Sequence, residues 1–134
     1  MAVQINKRKL DQLIRTTPGR ANMMLRGMAT EIVGDIVLSM GTSPPGESYQ
    51  RGSVTHVASQ EGYPPNVDTD ALRPSIRWTE DTPLRLFVHD GVTYGKWLEF
   101  GTDNMGPRPF ITPVFEVWRR RKFAAYARDF GVFR

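Results

Sequence analysis

Cysteine is absent from this 134-residue sequence, which removes disulfides, thiolate metal sites and cysteine nucleophiles together and suits assembly in a reducing cytoplasm. Histidine is scarce. The two that occur, His56 and His89, show neither an H-x-x-x-H nor an H-x-E spacing, so no metal site is legible. No apolar run approaches the ~20 residues of a membrane-spanning helix, and the polar Asn6-Lys7-Arg8-Lys9 is not followed by the apolar stretch of a secretory leader. There is no G-x-S-x-G and no phosphate-cradling glycine loop with its lysine. The expectation is a protein without catalytic residues, cofactor, metal or membrane partner.

What is present fits one globular domain over residues 1–134. Hydrophobic residues make up 40% and charged residues 24%, ordinary for a soluble folded chain able to bury a modest core. The formal net charge of +4 is unevenly placed. Residues 1–107 carry 11 Lys and Arg against 12 Asp and Glu, whereas residues 108–134 carry 7 against 2. An anionic partner is therefore sought on the C-terminal segment.

The helical period is clearest in the first third, and helices are predicted over about 6–40. Ile5, Leu10, Leu13 and Ile14 among charges give a short amphipathic helix over residues 3–16, starting near Asn6. Thr17 then serves as an N-cap with Pro18 at the first position of a second helix. Along it Ala21, Met24, Leu25, Met28, Ile32, Ile36 and Met40 keep the period, with Val33 and Val37 beside them. Gly27 and Gly34, seven apart, share a face on which another backbone is expected to approach closely. Gly41 ends the helix. Residues 41–70 are rich in proline, glycine and small polar residues and read as a long connection with a short strand over Val54–Ala58, ordered by lying on a neighbouring subunit.

A hairpin follows. Ile76 and Trp78 alternate with Arg77 and Thr79, the turn is Glu80-Asp81-Thr82-Pro83, and Leu84, Leu86 and Val88 alternate with Arg85, Phe87 and His89. Because an isolated hairpin is marginal, the face carrying Ile76, Trp78, Leu86 and Val88 is predicted to pack on the 18–40 helix. The fold class is α+β: an antiparallel sheet of three to four strands on the long helix and a C-terminal helix. The extra strands come either from residues 50–60 or from Arg108–Thr112.

The aromatic stretch Val92–Phe115 organises the second half. Tyr94, Trp97 and Leu98 at i, i+3 and i+4 followed by Gly101 read as a helical turn with a glycine cap. Asp103, Asn104 and Gly106 make a turn, and Pro107 and Pro109 hold the chain extended around Arg108. Tyr94, Trp97, Phe100 and Phe110 are expected to be the buried scaffold of this corner. Glu99 is expected to accept hydrogen bonds from Arg108 or from backbone amides around Thr102. The last helix, about 113–130, starts after Pro113 and carries Val114, Phe115, Val117, Trp118, Ala125 and Tyr126 as its apolar band, with Phe123, Phe130 and Phe133 beyond. Asp68 and Asp70 flank Thr69 as a cap or turn before Leu72, and the adjacent carboxylates of Glu80 and Asp81 fall in a turn, where Asp serves local hydrogen bonding.

Tyr94-Gly95-Lys96-Trp97-Leu98-Glu99-Phe100-Gly101-Thr102, followed by Arg108-Pro109-Phe110 and Pro113, resembles the tail-component, or neck, proteins of long-tailed bacteriophages. There an aromatic-x-x-aromatic/aliphatic-x-E-F/Y-G-T run precedes an R-P-F-hydrophobic-x-P run that leads into the last helix. Thr69, Leu72, Arg73, Ser75 and Ile76 are similar to that family's T-G-x-L-R-x-S-I element, with Asp70 where Gly is usual and Pro74 lying inside the motif. The phage tail-completion proteins share comparable runs. The resemblance implies a virion structural protein at the head–tail junction. It would associate into a ring and dock on head connector and tail proteins after assembly in the host cytoplasm.

Arg119-Arg120-Arg121-Lys122 places four consecutive cations on a helix, spread around most of its circumference. Three readings stand: a solvated face, ion pairing with an acidic neighbour, or non-specific contact with packaged DNA through phosphate attraction. A small basic nucleic-acid-binding module using the last helix is the alternative function.

Overall fold

The computed structural model describes residues 7–66 and 71–131, leaving the side chains of residues 7, 9–11, 13, 14, 16, 17 and 51 aside. The expectations placed on Ile5, Asp68, Thr69, Asp70 and Phe133, and on the side chains of Leu10, Leu13, Ile14 and Thr17, lie outside what is described.

One helix, α1 (Lys7–Ser39), replaces the two expected, because Pro18 lies inside it rather than at the start of a second. Proline forfeits a single ladder bond and disfavours helix before it without forbidding it, and here the ladder continues on both sides. Met24, Met28, Ile32, Ile36 and Met40 are buried at every fourth position, so one stripe of α1 and the residue just past it form the floor of the core. Gly27 does admit a close neighbour, although it is the Tyr126 hydroxyl and not a backbone; Gly34 faces open space.

The α+β class holds, while the single sheet of three to four strands does not. Two separate antiparallel hairpins are present, β1 (Pro45–Arg51) with β2 (Val54–Ser59), and β3 (Arg77–Thr82) with β4 (Arg85–His89). Residues 50–60 pair with their own preceding segment, and Arg108–Ile111 lie in no strand, Thr112 already opening a helix. The stretch read as a connection is folded because Gly52, with φ +60°, opens a two-residue loop between Arg51 and Val54.

The β3–β4 hairpin lies on α1 as the alternation predicts. Ile76 is buried, Trp78, Leu86 and Val88 are half-buried, and Thr79 and Phe87 face outward. The Trp78 indole donates to Thr30 Oγ1 at 3.2 Å. Its turn is tighter than expected, Pro83–Leu84 rather than residues 80–83, because Asp81 is taken up as a bulge opposite Leu86 and Arg85.

A single turn, α2 (Leu72–Ser75), precedes β3, and α3 (Gly95–Phe100) follows β4. The chain closes with α4 (Thr112–Val117), a π-helical turn (Trp118–Lys122) and α5 (Phe123–Phe130), which ends on the left-handed Gly131. The π turn changes the expected apolar band. In a continuous α-helix, Arg121 and Lys122 would follow Trp118 onto the core face at i+3 and i+4. The extra residue puts Phe123 and Tyr126 there, with ring centroids 5.7 and 6.0 Å from Trp118. Ala127 is buried in consequence, whereas Ala125 and Val117 are exposed.

Candidate interaction surface

The corner of the aromatic stretch is fixed by backbone bonds and one carboxylate. Gly101, at φ +77°, caps α3 through Gly101 N–H to Trp97 O, and Thr102 forms a bridge with Met105. A Cβ at position 101 would meet Met105 O at 2.9 Å, so glycine is required there. Arg108 N–H donates to Leu98 O at 2.6 Å and brings the segment after the corner back against α3.

Glu99 bonds neither Arg108 nor the amides around Thr102. Its Oε2 accepts the backbone N–H groups of Phe110 and Ile111 at 2.9 and 3.0 Å, and its Oε1 that of Thr112 at 2.8 Å. These are the amides that open α4 and have no partner within the helix. A carboxylate one corner upstream serves as the cap that no local side chain provides, with the favourable sign for a helix start. Burial pushes the Glu99 carboxyl up, but the Thr112 hydroxyl and the three amides together outweigh it and hold it below its ordinary value.

Arg108 instead reaches the other hairpin. Its Nε donates to Ser59 O at 2.9 Å, Gly62 N–H to Pro107 O at 2.8 Å, and Gly106 N–H to Glu61 Oε1 at 3.1 Å. The base of β1–β2 is thus tied to the corner, while much of the rest of that hairpin is exposed: Pro45 to Gln50 are all exposed, as are Val54, Thr55 and Val57.

Of the expected aromatic scaffold only part is buried. Phe110 is 0% exposed and Tyr94 half-buried, but Trp97 is 48% and Phe100 78% exposed. A six-residue helix can bury one side only, and α3 spends that side on Gly95, Leu98 and Glu99. Trp97 joins Tyr49, His56, Val57, Leu72 and Met105 around an open cleft of about 940 Å³ between β1–β2 and α3. Tyr49 and His56 stack across the hairpin with centroids 5.7 Å apart.

The upstream motif is structural at Leu72 and Ile76, both buried, and at Ser75, whose hydroxyl donates to Leu72 O at 2.6 Å. Arg73 lines the cleft. Pro109 is half-buried after Arg108, and Pro113 sits exposed in the first turn of α4.

The four cations are all exposed. Arg119 and Arg120 both approach Glu116, at 2.8 and 3.6 Å, and Lys122 Nζ meets Asp35 Oδ2 at 2.7 Å. Arg121 has no carboxylate within ion-pair distance among the described residues. Asp35 also accepts from the buried Trp118 indole. Sequence reasoning missed this acid, although a carboxylate between the apolar Ile32 and Ile36 is itself a signal that something must face it. Lys122 and Trp118 border a second groove, of about 290 Å³, lined by Leu38, Pro113, Val114 and Val117 on the seam between α1 and α4.

Among the described residues no group of three or more His, Cys, Asp and Glu is arranged to hold a metal, and no helix is long and apolar enough to cross a membrane. Compared with known protein families, with curated proteins and with solved structures, the chain matches none.

Proposed function

We propose that this chain is a structural subunit of a bacteriophage virion, placed at the head–tail junction as a neck or tail-completion protein. It self-associates into a ring that links the head connector to the tail. The observation that carries the reading is the division of the aromatic motif. Phe110 and the Glu99-capped corner make a rigid support, while Trp97 and Phe100 of the same motif project from it. Rigid presentation of large apolar side chains suits a surface that other subunits cover.

The β1–β2 hairpin supports the same reading. Its base is tied to the corner, and it leaves Val54 and Val57 about half exposed. Two strands with so little burial gain from a neighbour that completes their packing. A head-to-tail contact that closes on itself generates a ring.

The alternative, a small basic nucleic-acid-binding module, draws on the exposed Arg119–Lys122 ridge. Three of its four cations already face carboxylates, which lowers the charge offered to phosphates. Sedimentation and electron microscopy of the purified chain, alone and with tails lacking it, test the reading. Ring-shaped oligomers that join such tails to heads are expected. A monomer that binds duplex DNA tightly at low salt and releases it steeply as salt rises would favour the alternative.

A further inference from the structure

The π turn adds one residue to a helix that would otherwise be regular. Phe123 N–H donates to Trp118 O, five residues back where an α-helix reaches four. Trp118 and Ala127 are buried, and Phe123, Tyr126 and Phe130 pack against the same core. Phe123, Tyr126, Ala127 and Phe130 follow Trp118 by five, eight, nine and twelve residues. On a straight α-helix, at ~100° per residue, that spacing carries them roughly 80–180° away from Trp118. With one residue fewer the steps become four, seven, eight and eleven. All five side chains then fall within about 100° of arc, an ordinary apolar stripe. The core gains nothing from the extra residue that a regular helix would not supply.

The ion pairs single out which residue is extra. Arg119 and Arg120 approach Glu116 at 2.8 and 3.6 Å, and Lys122 Nζ meets Asp35 Oδ2 at 2.7 Å. Arg121 is exposed and has no carboxylate within ion-pair distance among the described residues. Without it, Lys122 would follow Trp118 by three residues and stay on the side of the helix that faces Asp35. Removing Arg121 therefore costs neither packing nor an ion pair, whereas removing any of the other three cations costs a pair. Single π turns inside α-helices persist mostly at functional sites.

We infer that Arg121 is a one-residue insertion kept for its charge, and that its guanidinium meets a carboxylate on the next copy of this chain. A guanidinium fork matches one carboxylate with two parallel bonds. Tight attachment to a nucleic acid instead needs several cations on phosphates together, and the other three here are engaged. The chain carries carboxylates to receive it. Glu47 on the rim of the large cleft and Asp103, three residues after the projecting Phe100, are exposed and without an ion pair among the described residues. The contact rests on the ring reading; the insertion does not.

Thermal unfolding, sedimentation velocity and titration with duplex DNA test it on the full chain, on a variant lacking Arg121 and on Arg121→Glu. The deletion variant is expected to keep the parent's circular dichroism and to melt at or above the parent's temperature. The parent is expected to form oligomers, and both variants to lose association by at least about tenfold. A deletion variant that melts well below the parent overturns the insertion, and Arg121→Glu, which keeps the length, still reads the contact. An assembling parent matched by Arg121→Glu overturns the contact and leaves the ring reading standing. A parent that stays monomeric overturns the ring reading and the contact together, while melting still decides the insertion. Duplex binding by the parent that both variants lose overturns the carboxylate in favour of a phosphate.

Discussion

The indole Nε1 of Trp118 donates to Asp35 Oδ2 at 2.8 Å, joining the start of the π turn to the C-terminal part of α1. Trp118 is 1% exposed, and the Lys122 ammonium lies 5.3 Å above its ring while also bonding Asp35. Burial pushes the Asp35 carboxyl up, but Lys122 and Trp118 as donors hold it below its ordinary value. Packing, a charge-assisted bond and a cation–π contact thus meet in one place.

Packing should dominate there. Trp118→Ala is expected to cost about 3–5 kcal/mol. Trp118→Phe, which keeps most of the apolar bulk and gives up the indole donor, should cost about 1–2 kcal/mol. Urea unfolding at neutral pH separates them. Equal losses in the two variants would mean that the bond to Asp35, not the ring, carries the site.

Glu99 makes the fold acid-sensitive in a defined direction. Its carboxyl is depressed in the folded chain, so its contribution is fully present above its ordinary value of 4.5 and is lost as pH falls through the lower folded value. At pH 7, Glu99→Gln should be less stable by roughly 1–3 kcal/mol, since a neutral amide replaces a charged acceptor of three backbone N–H groups. Below pH 4.5 the gap between parent and variant should close, because the parent's own carboxyl becomes neutral. A gap unchanged between pH 7 and pH 3 would contradict the capping role.

Gly27 and Gly34 sit seven apart in one helix and should respond oppositely to alanine. At Gly27 a Cβ collides with the Tyr126 hydroxyl, so the tyrosine must leave its packed position or α5 must shift with it, and a loss of about 1–3 kcal/mol is expected. At Gly34 nothing lies within 4 Å. There the ordinary gain of about 1 kcal/mol for alanine over glycine in a helix applies. Thermal unfolding reads both, and a stabilised Gly27→Ala would show that Tyr126 can swing away freely.

What was legible in the residues was periodic, and what was hidden depended on distant partners. The stripe Met24, Met28, Ile32, Ile36 and Met40 and the face of Ile76, Trp78, Leu86 and Val88 follow directly from spacing. The β1 strand was masked by Pro45 and Gly46 in a stretch without apolar alternation, and only the Gly52-Ser53 loop between Arg51 and Val54 marks it. A π turn leaves no periodic trace of its own; four cations directly after Trp118 are its sole sign, since a regular helix would carry two of them to the core. Glu99 reads as a hydrogen-bond acceptor at the corner, but the donors expected for it, Arg108 or the amides around Thr102, are not the ones it meets; those lie eleven to thirteen residues away, on a helix whose start needed a cap.

Trp97 and Phe100 separate the two uses of the aromatic motif. As half-exposed and largely exposed side chains, they should tolerate alanine with changes in monomer stability within about 0.5 kcal/mol for Phe100 and little more for Trp97. Phe110→Ala, at a fully buried position, should cost about 3–5 kcal/mol. If the projecting pair belongs to an inter-subunit surface, the double variant Trp97→Ala/Phe100→Ala folds with near-parental melting but fails to assemble, because truncating buried aromatic anchors removes most of an interface's energy. Melting and sedimentation on the same samples distinguish the cases. A double variant that melts far below the parent would place these rings in the fold, and one that both melts and assembles like the parent would remove them from the interface.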